Sequence, residues 1–318
     1  MDRPVMFAGF DWPSARFHNA VAKFMVATLF GCETDDLPGS TIPLLAGLRR
    51  GDVDVAMEVW IDRATKIWED GVKRGQLASV GVNMPNASQS WYVPRYMIEG
   101  DAKRGIEPVA PDLESVFDLP RYAALFKDPE RPRLGRFYNC SLGWLCEILN
   151  SKKLAAYDLE RSFSNFRVGT GAALAAAIAS HYAKGEPFVA YYWDPSWITA
   201  RYDLVALDEP PYSDEAWDAF VADRRPDTAL AFPVVEQHIG VNTGFRDEAG
   251  PLVSFLSAYG TSRDLMREVL LFMYENEDVE GEALARWFLK THPDVWRSWL
   301  TGNQIALVEA RMGSSAGP

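Results

Sequence analysis

Histidine and cysteine are scarce in this chain, with four and three residues among 318. His18, His181, His238 and His292 stand apart, none at metal-ligand spacing from another histidine or a cysteine, so no metal site is expected. There is no phosphate-binding loop and no Gly-x-Ser-x-Gly nucleophile elbow. Carboxylates are many but scattered, and no spacing marks an acid/base pair. These absences point away from an enzyme and away from any cofactor. No run approaches the ~18 apolar residues of a membrane span. Basic clusters are missing as well. Lys and Arg total 32 against 44 Asp and Glu, a formal net charge of -12, so nucleic acid is not an expected partner. No internal repeat or low-complexity tract occurs.

What remains is ordinary for a folded globular chain, 48% apolar and 24% charged, long enough for one large domain or two smaller ones. Val5 to Phe10 reads as a strand. A helix follows, with Phe17, Val21, Phe24, Met25, Thr28 and Leu29 at helical spacing, Ser14 as its expected N-cap and Gly31 as its stop. Thr41 to Arg50 reads as a second helix, and Val53 to Trp60 as a strand. Further strands are expected over residues 88 to 97, 136 to 138, 188 to 193 and 234 to 242. Helices are expected over 113 to 119, 146 to 156 and from Gly171 to Tyr182. Beyond Pro251 the pattern is helical to about Met312, with breaks near Gly260 and His292. Strands alternating with helices make this an α/β chain with two α/β regions. The final helical block has no strand of its own and is expected to pack back on the first region, which makes that domain discontinuous.

The N-terminus has no basic segment followed by an apolar one, so the chain is expected either to be cytoplasmic or to have lost a secretion signal. Cys140 and Cys146 bear on that choice. A bridge between them would close a short loop with stabilisation of about 2 kcal/mol, but on spacing alone a disulfide and two free thiols are equally open. Cys32, just after the first helix, is expected to be a buried free thiol.

Tryptophan is abundant, at 11 residues. Trp12, Trp60 and Trp193 fall near the carboxyl ends of expected strands, where open α/β sheets face their ligands. Trp91, Trp144 and Trp197 lie on a strand or in loops, and Trp68, Trp287, Trp296 and Trp299 read as helix packing residues. A cluster of indole faces has a specific use. A quaternary ammonium has no N–H to donate, yet its methyl groups and spread charge are attracted to aromatic faces, at about 1–2 kcal/mol per desolvated contact. An anionic tail on such a ligand would need donors, and the amides of Leu145 and Cys146, opening a helix after Gly143, could supply them. Gly169-Thr170-Gly171 before a helix is a weaker anion signal of the same kind.

At these residues the chain resembles the substrate-binding proteins of glycine betaine, proline betaine and choline ABC importers. Cys140-Ser-Leu-Gly-Trp-Leu-Cys146-Glu147 is similar to the family's loop with a tryptophan between two bonded cysteines. Gly51-Asp-Val-Asp-Val55 running to Glu58-Val-Trp60, Tyr191-Tyr-Trp-Asp-Pro-Ser-Trp197 with Tyr202-Asp-Leu204, and Phe288-Leu-Lys290 to Trp299-Leu300 follow in order. The resemblance implies a type II periplasmic binding protein, two α/β lobes joined by a two-strand hinge. Lobe I would comprise residues 1–94 and 236–318 and lobe II 95–235, with the hinge near Tyr92 to Tyr96 and Val234 to His238 and the ligand in the cleft. It also implies a Cys140–Cys146 disulfide, and with it a periplasmic or otherwise extracytoplasmic location.

By the same resemblance Trp60, Trp144 and Trp193 box the trimethylammonium. Trp12, with Gly39 to Leu45, is more similar to the trimethylamine N-oxide binders and adds a fourth wall. Proline betaine binders can carry a histidine four residues after the first cage tryptophan; here that position is Ala64. The implied function is capture of a methylated-onium compound and delivery to an ABC importer permease by a monomer. A sensor domain for the same ligands and an enzyme acting on a methylated amine are the alternatives.

Overall fold

The computed structural model of the chain describes residues 3–62 and 65–314. The chain divides into two compact units, Met1–Ala87 with Val235–Pro318, and Ser88–Val234. It therefore crosses between units at 87/88 and again at 234/235. The first crossing precedes the 94/95 boundary expected from the sequence, because the strand that carries it runs on through Pro94.

The first unit begins with β1 (Val5–Phe10), α1 (Pro13–Phe30), β2 (Thr34–Gly39), α2 (Thr41–Arg50), β3 (Val55–Trp60), α3 (Lys66–Lys73) and the first part of β4 (Leu77–Pro94). The second unit continues with the end of β4, then the short α4 (Tyr96–Glu99) and α5 (Leu119–Tyr122), β5 (Gly135–Asn139), α6 (Leu145–Ala156), β6 (Phe163–Arg167), α7 (Gly171–Lys184), β7 (Val189–Asp194), α8 (Trp197–Arg201), β8 (Leu204–Ala206) and α9 (Asp214–Ala222). The chain then returns to the first unit through β9 (Val235–Asn242) and the helices α10 (Thr243–Glu248), α11 (Gly250–Ala258), α12 (Arg263–Glu275), α13 (Gly281–Thr291), α14 (Pro293–Arg297) and α15 (Gly302–Gly313).

The first unit's sheet has the order β2-β1-β3-β9-β4. β1 is parallel to both β2 and β3, while β9 is antiparallel to β3 and to β4. β3 is buried along all but its last residue and reads as a near-continuous apolar run, as a central strand covered on both faces should. β2, Thr-Asp-Asp-Leu-Pro-Gly, is the edge, and its charges and proline are what an edge tolerates. That composition explains why no strand is legible there in the sequence. α1 lies against β1 and β3 and is covered by α13, with Phe17 and Phe288 in edge contact at 5.0 Å. The terminal helical block thus packs on the first unit.

α1 departs from expectation at its start. The N-cap residue is Trp12, with Pro13 at the first helical position, and Ser14 is already inside the helix. Gly31 ends the helix with φ 64°, in the left-handed region that only glycine enters without strain. Cys32 is a free thiol but only half-buried, since the chain leaves the helix there for the exposed edge strand.

In the second unit β4 pairs antiparallel with β7, β7 is parallel to β5, and β5 is parallel to β6; β8 adds to the end of β4. α6 packs on β5 and β6. Its Lys153 is fully buried and bonds Glu209 Oε2 at 2.6 Å, where the Tyr157 hydroxyl also donates at 2.8 Å. The Lys153 ammonium lies 3.7 Å from the centre of the Phe232 ring. Burial pulls the ammonium down to about 8, against the pull of Glu209. The pair fastens α6 to the irregular segment that carries Glu209. Removing one partner of such a pair strands the other, so Glu209→Ala is expected to lower stability by about 3 kcal/mol in urea unfolding, and Lys153→Met with Glu209→Leu to recover most of it. Equal losses in the single and double variants would mean the pair is not coupled.

Candidate functional site

Trp12 lies two residues past the end of β1 and Trp60 ends the neighbouring parallel strand β3, which brings them to the same carboxyl edge of the first unit's sheet. Trp12 must be extended because Pro13 follows it, and its φ of -107° and ψ of 155° are what a proline demands of its predecessor. The ring is buried and stacks on Phe10 at 4.5 Å. Trp60 is half-buried. Two residues before it on the same strand face stands Glu58. Its Oε1 accepts the indole N–H of Trp60 at 2.8 Å and that of Trp12 at 2.9 Å. One carboxylate oxygen therefore fixes both rings.

Glu58 is 1% exposed. Burial pushes its carboxyl up to about 7; donors at Ser14, Trp60 and Trp12 pull the other way and only partly offset it. Oε2 makes no hydrogen bond of proper geometry. Tyr259 lies close enough to feel this charge, and its hydroxyl contacts His18 Nδ1 at 2.8 Å.

The second unit carries the other pair. Cys140 and Cys146 are bonded, which closes the loop around Trp144. Asn139 anchors the start of that loop, its Oδ1 accepting from the Cys140 amide at 2.7 Å and from Asn150 at 2.9 Å. Trp144 is the N-cap residue of α6, extended and 5% exposed. Leu145 and Cys146 are the first two helical residues, so their N–H groups have no acceptor within the helix. Trp193 lies at the end of β7, and its ring meets that of Trp144 at 5.6 Å and 69°. Two indoles at that angle are adjacent walls of a corner. Trp193 also stacks flat on Tyr192 at 4.3 Å. Gly171, the first residue of α7, makes room for Trp144: a Cβ there would stand 2.7 Å from an indole carbon.

The sequence names six ligand-binding residues. Trp12 and Trp60 meet in one unit, and Trp144, Trp193, Leu145 and Cys146 are neighbours in the other. Trp91 belongs to neither pair. It is fully buried, donates to Asn150 Oδ1 at 2.7 Å and packs on Phe137, so it is a core residue of the second unit. Ala64 lies outside the described residues. Glu58 and Gly171 are the residues that sequence reasoning misses. Glu58 stands at alternate spacing to Trp60, the one local sign of a shared face. Gly171 signals only a helix start. Among the described residues no group of three His, Cys, Asp or Glu could hold a metal ion.

Glu58 binds its proton more tightly folded than unfolded, so its contribution to stability is complete below 4.5 and is lost as pH rises to about 7. Wild type is therefore expected to lose about 3 kcal/mol relative to Glu58→Gln across that window, and nothing further above it. Urea unfolding of both proteins from pH 4 to 8 measures this, and a constant difference would deny the shift. Gly171→Val should overpack against Trp144 and cost about 1–3 kcal/mol, with a change in the near-ultraviolet circular dichroism of the indoles. An unaltered spectrum would show that the two do not touch.

The model of the substrate-binding domain of ABC-type glycine betaine transport systems matches residues 3–291. The glycine betaine/proline betaine-binding periplasmic protein of Escherichia coli is 30% identical over 193 residues, 57% of this chain and 56% of that protein. Its Salmonella typhimurium counterpart is 27% identical over 41% of this chain and 40% of its own length. The chain thus matches about half the length of these two relatives. Among solved structures, an ABC-transporter choline-binding protein in complex with choline is similar with a TM-score of 0.75 at 19% identity, covering 98% of each chain. Lactococcal OpuAC in its closed form with glycine betaine gives a TM-score of 0.70 at 17% identity, covering 94% of this chain and 100% of that one. These likenesses show the fold, an α/β periplasmic binding protein. Solute-binding proteins, not enzymes, make up this family, and residues 3–291 place the chain within it: it belongs to the substrate-binding domains of ABC-type glycine betaine transport systems.

Proposed function

We propose that this chain is an extracytoplasmic solute-binding protein that captures a methylated-onium compound, of the glycine betaine, choline or trimethylamine N-oxide class, in a cage of four tryptophans. Trp12 and Trp60 are the walls from one unit and Trp144 and Trp193 those from the other. The observation that carries this reading is that the indoles are fixed in pairs at the strand ends, one pair on the Glu58 oxygen and the other in edge contact beside a disulfide-closed loop. Indoles anchored in that way present rigid aromatic surface, which suits a cation that cannot donate a hydrogen bond. Four contacts at about 1–2 kcal/mol each are enough for affinity in the micromolar range. The amides of Leu145 and Cys146 serve an anionic or polar tail where the ligand has one.

A ligand touching both pairs favours the state in which both are engaged, so binding draws the units together, and that liganded form is the one delivered to an importer permease. The protein acts as a monomer. Support for the ligand class comes from the Escherichia coli and Salmonella relatives, which bind glycine betaine and proline betaine by name, and for the location from their being periplasmic. No helix among the described residues is long and apolar enough to cross a membrane.

Intrinsic tryptophan fluorescence titrated with glycine betaine, proline betaine, choline, carnitine, dimethylsulfoniopropionate and trimethylamine N-oxide tests the reading. At least one is expected to bind, and Trp60→Ala and Trp193→Ala are each expected to weaken it at least tenfold. Wild-type affinity in both variants would remove the cage.

A further inference from the structure

We propose that Glu58 is a positioning residue of the onium site that also tunes its charge, so that capture of a cation is coupled to loss of the Glu58 proton. This rests on the ligand class proposed above and adds a residue and a regulation to it.

The geometry is local to the first unit. Glu58 Oε1 takes two indole N–H groups, from Trp12 on one strand end and Trp60 on the next, and so holds the two rings in one arrangement. Oε1 takes both indoles, Ser14 is the further donor beside the carboxyl, and the buried Oε2 is the oxygen left for a proton. When that proton leaves, both N–H groups donate to an anion. A hydrogen bond to an ionised acceptor is stronger than one to a neutral one, and it pushes electron density into the donor ring. Both indoles then attract a cation at their faces more strongly. The converse follows by linkage: a cation held against those rings favours the ionised form of Glu58, and the proton passes to the buffer.

Burial already holds this carboxyl near its midpoint at neutral pH, where a small change of field moves many protons. Of the groups around it, His18 and Tyr259 do not change charge near neutral pH. Ser14, from α1, is uncharged. His18, from the same helix, is fully buried and stays neutral down to about 3. Tyr259, at the end of α11, is held far above the ordinary phenol range by burial and by Glu58 itself. Asp11 and Asp62 flank the two strand ends, Asp62 accepting from the Thr65 hydroxyl at 2.9 Å. His238, on β9, pairs with Val59 and therefore belongs to the opposite face of β3. A role confined to fixing the two rings would leave binding independent of pH.

Calorimetric titration of the full chain and of Glu58→Gln with choline and with glycine betaine, from pH 5.5 to 8.5 in two buffers of different ionisation heat, separates the two. Gln keeps an acceptor for the indoles and removes the titration. Wild type is expected to release about half a proton per ligand near pH 7 and to bind about tenfold more tightly at pH 8 than at pH 5.5, a unit fall in pKa being tenfold in affinity. Glu58→Gln is expected to release none and to show a flat profile, weaker than wild type at pH 8. Binding by wild type without proton release, or equal release by the variant, overturns the coupling and leaves the ligand class standing. A ligand-free arm follows the indole N–H resonances by NMR, assigned with Trp12→Phe and Trp60→Phe. In wild type both should move with one midpoint near neutrality, and in Glu58→Gln neither should move. If neither onium binds wild type while both resonances titrate, the coupling to these cations falls and the positioning role remains, and the ligand class stands or falls by the six-compound panel above. If the resonances do not move, the positioning role falls too.

Discussion

The hydrogen bonds from Trp12 and Trp60 to a single oxygen of Glu58 govern the first unit's share of the site. An indole at the end of a strand has one polar group, and burying it without an acceptor would be costly. Two such groups arrive from adjacent parallel strands, and one carboxylate, one side-chain period before Trp60, answers both. The arrangement fixes both rings through one shared acceptor. It also places a titratable group in hydrogen-bond contact with both indoles.

The second unit meets the same requirement by covalent and steric means. The Cys140–Cys146 bond holds the loop that carries Trp144, Asn139 secures its first residue, and Gly171 leaves the space the ring occupies. Trp193 then stands against it at 69°. One pair of indoles is held by hydrogen bonds to a carboxyl, the other by a disulfide-closed loop and by packing.

Much of the fold is legible in the sequence because it depends on local pattern. β1, β3 and β7 are largely apolar runs, α1 and α2 have helical spacing and glycine stops, and the expected bounds differ from those observed by only a few residues. What escapes is whatever lacks a local signal. β2 is polar and ends in Pro-Gly, and β6, Phe-Ser-Asn-Phe-Arg, is a parallel strand with no continuous apolar run. The first half of β4 and the helix α9 lie in stretches where the sequence names no element. Their structure comes from pairing and packing partners distant in sequence. Ser14 is misassigned for a related reason: serine is the favoured cap, but Pro13 sets the helix start two residues earlier.

For the site, the sequence by itself determined which residue types stand at strand ends and in the cysteine loop, and, through motifs spread along the chain, the family to which it belongs. Residue type, periodicity and motif are properties of neighbouring positions, and a sequence displays them directly. Only the tertiary structure decided how those residues associate. It put Trp91 in the core, set Trp144 against Trp193, and placed Glu58 on an indole 46 positions away. It also raised the Glu58 carboxyl to about 7, since burial is a property of the packed surroundings and not of the residue. Those outcomes depend on which strands become neighbours, and strand order is fixed by contacts that no local stretch of sequence contains.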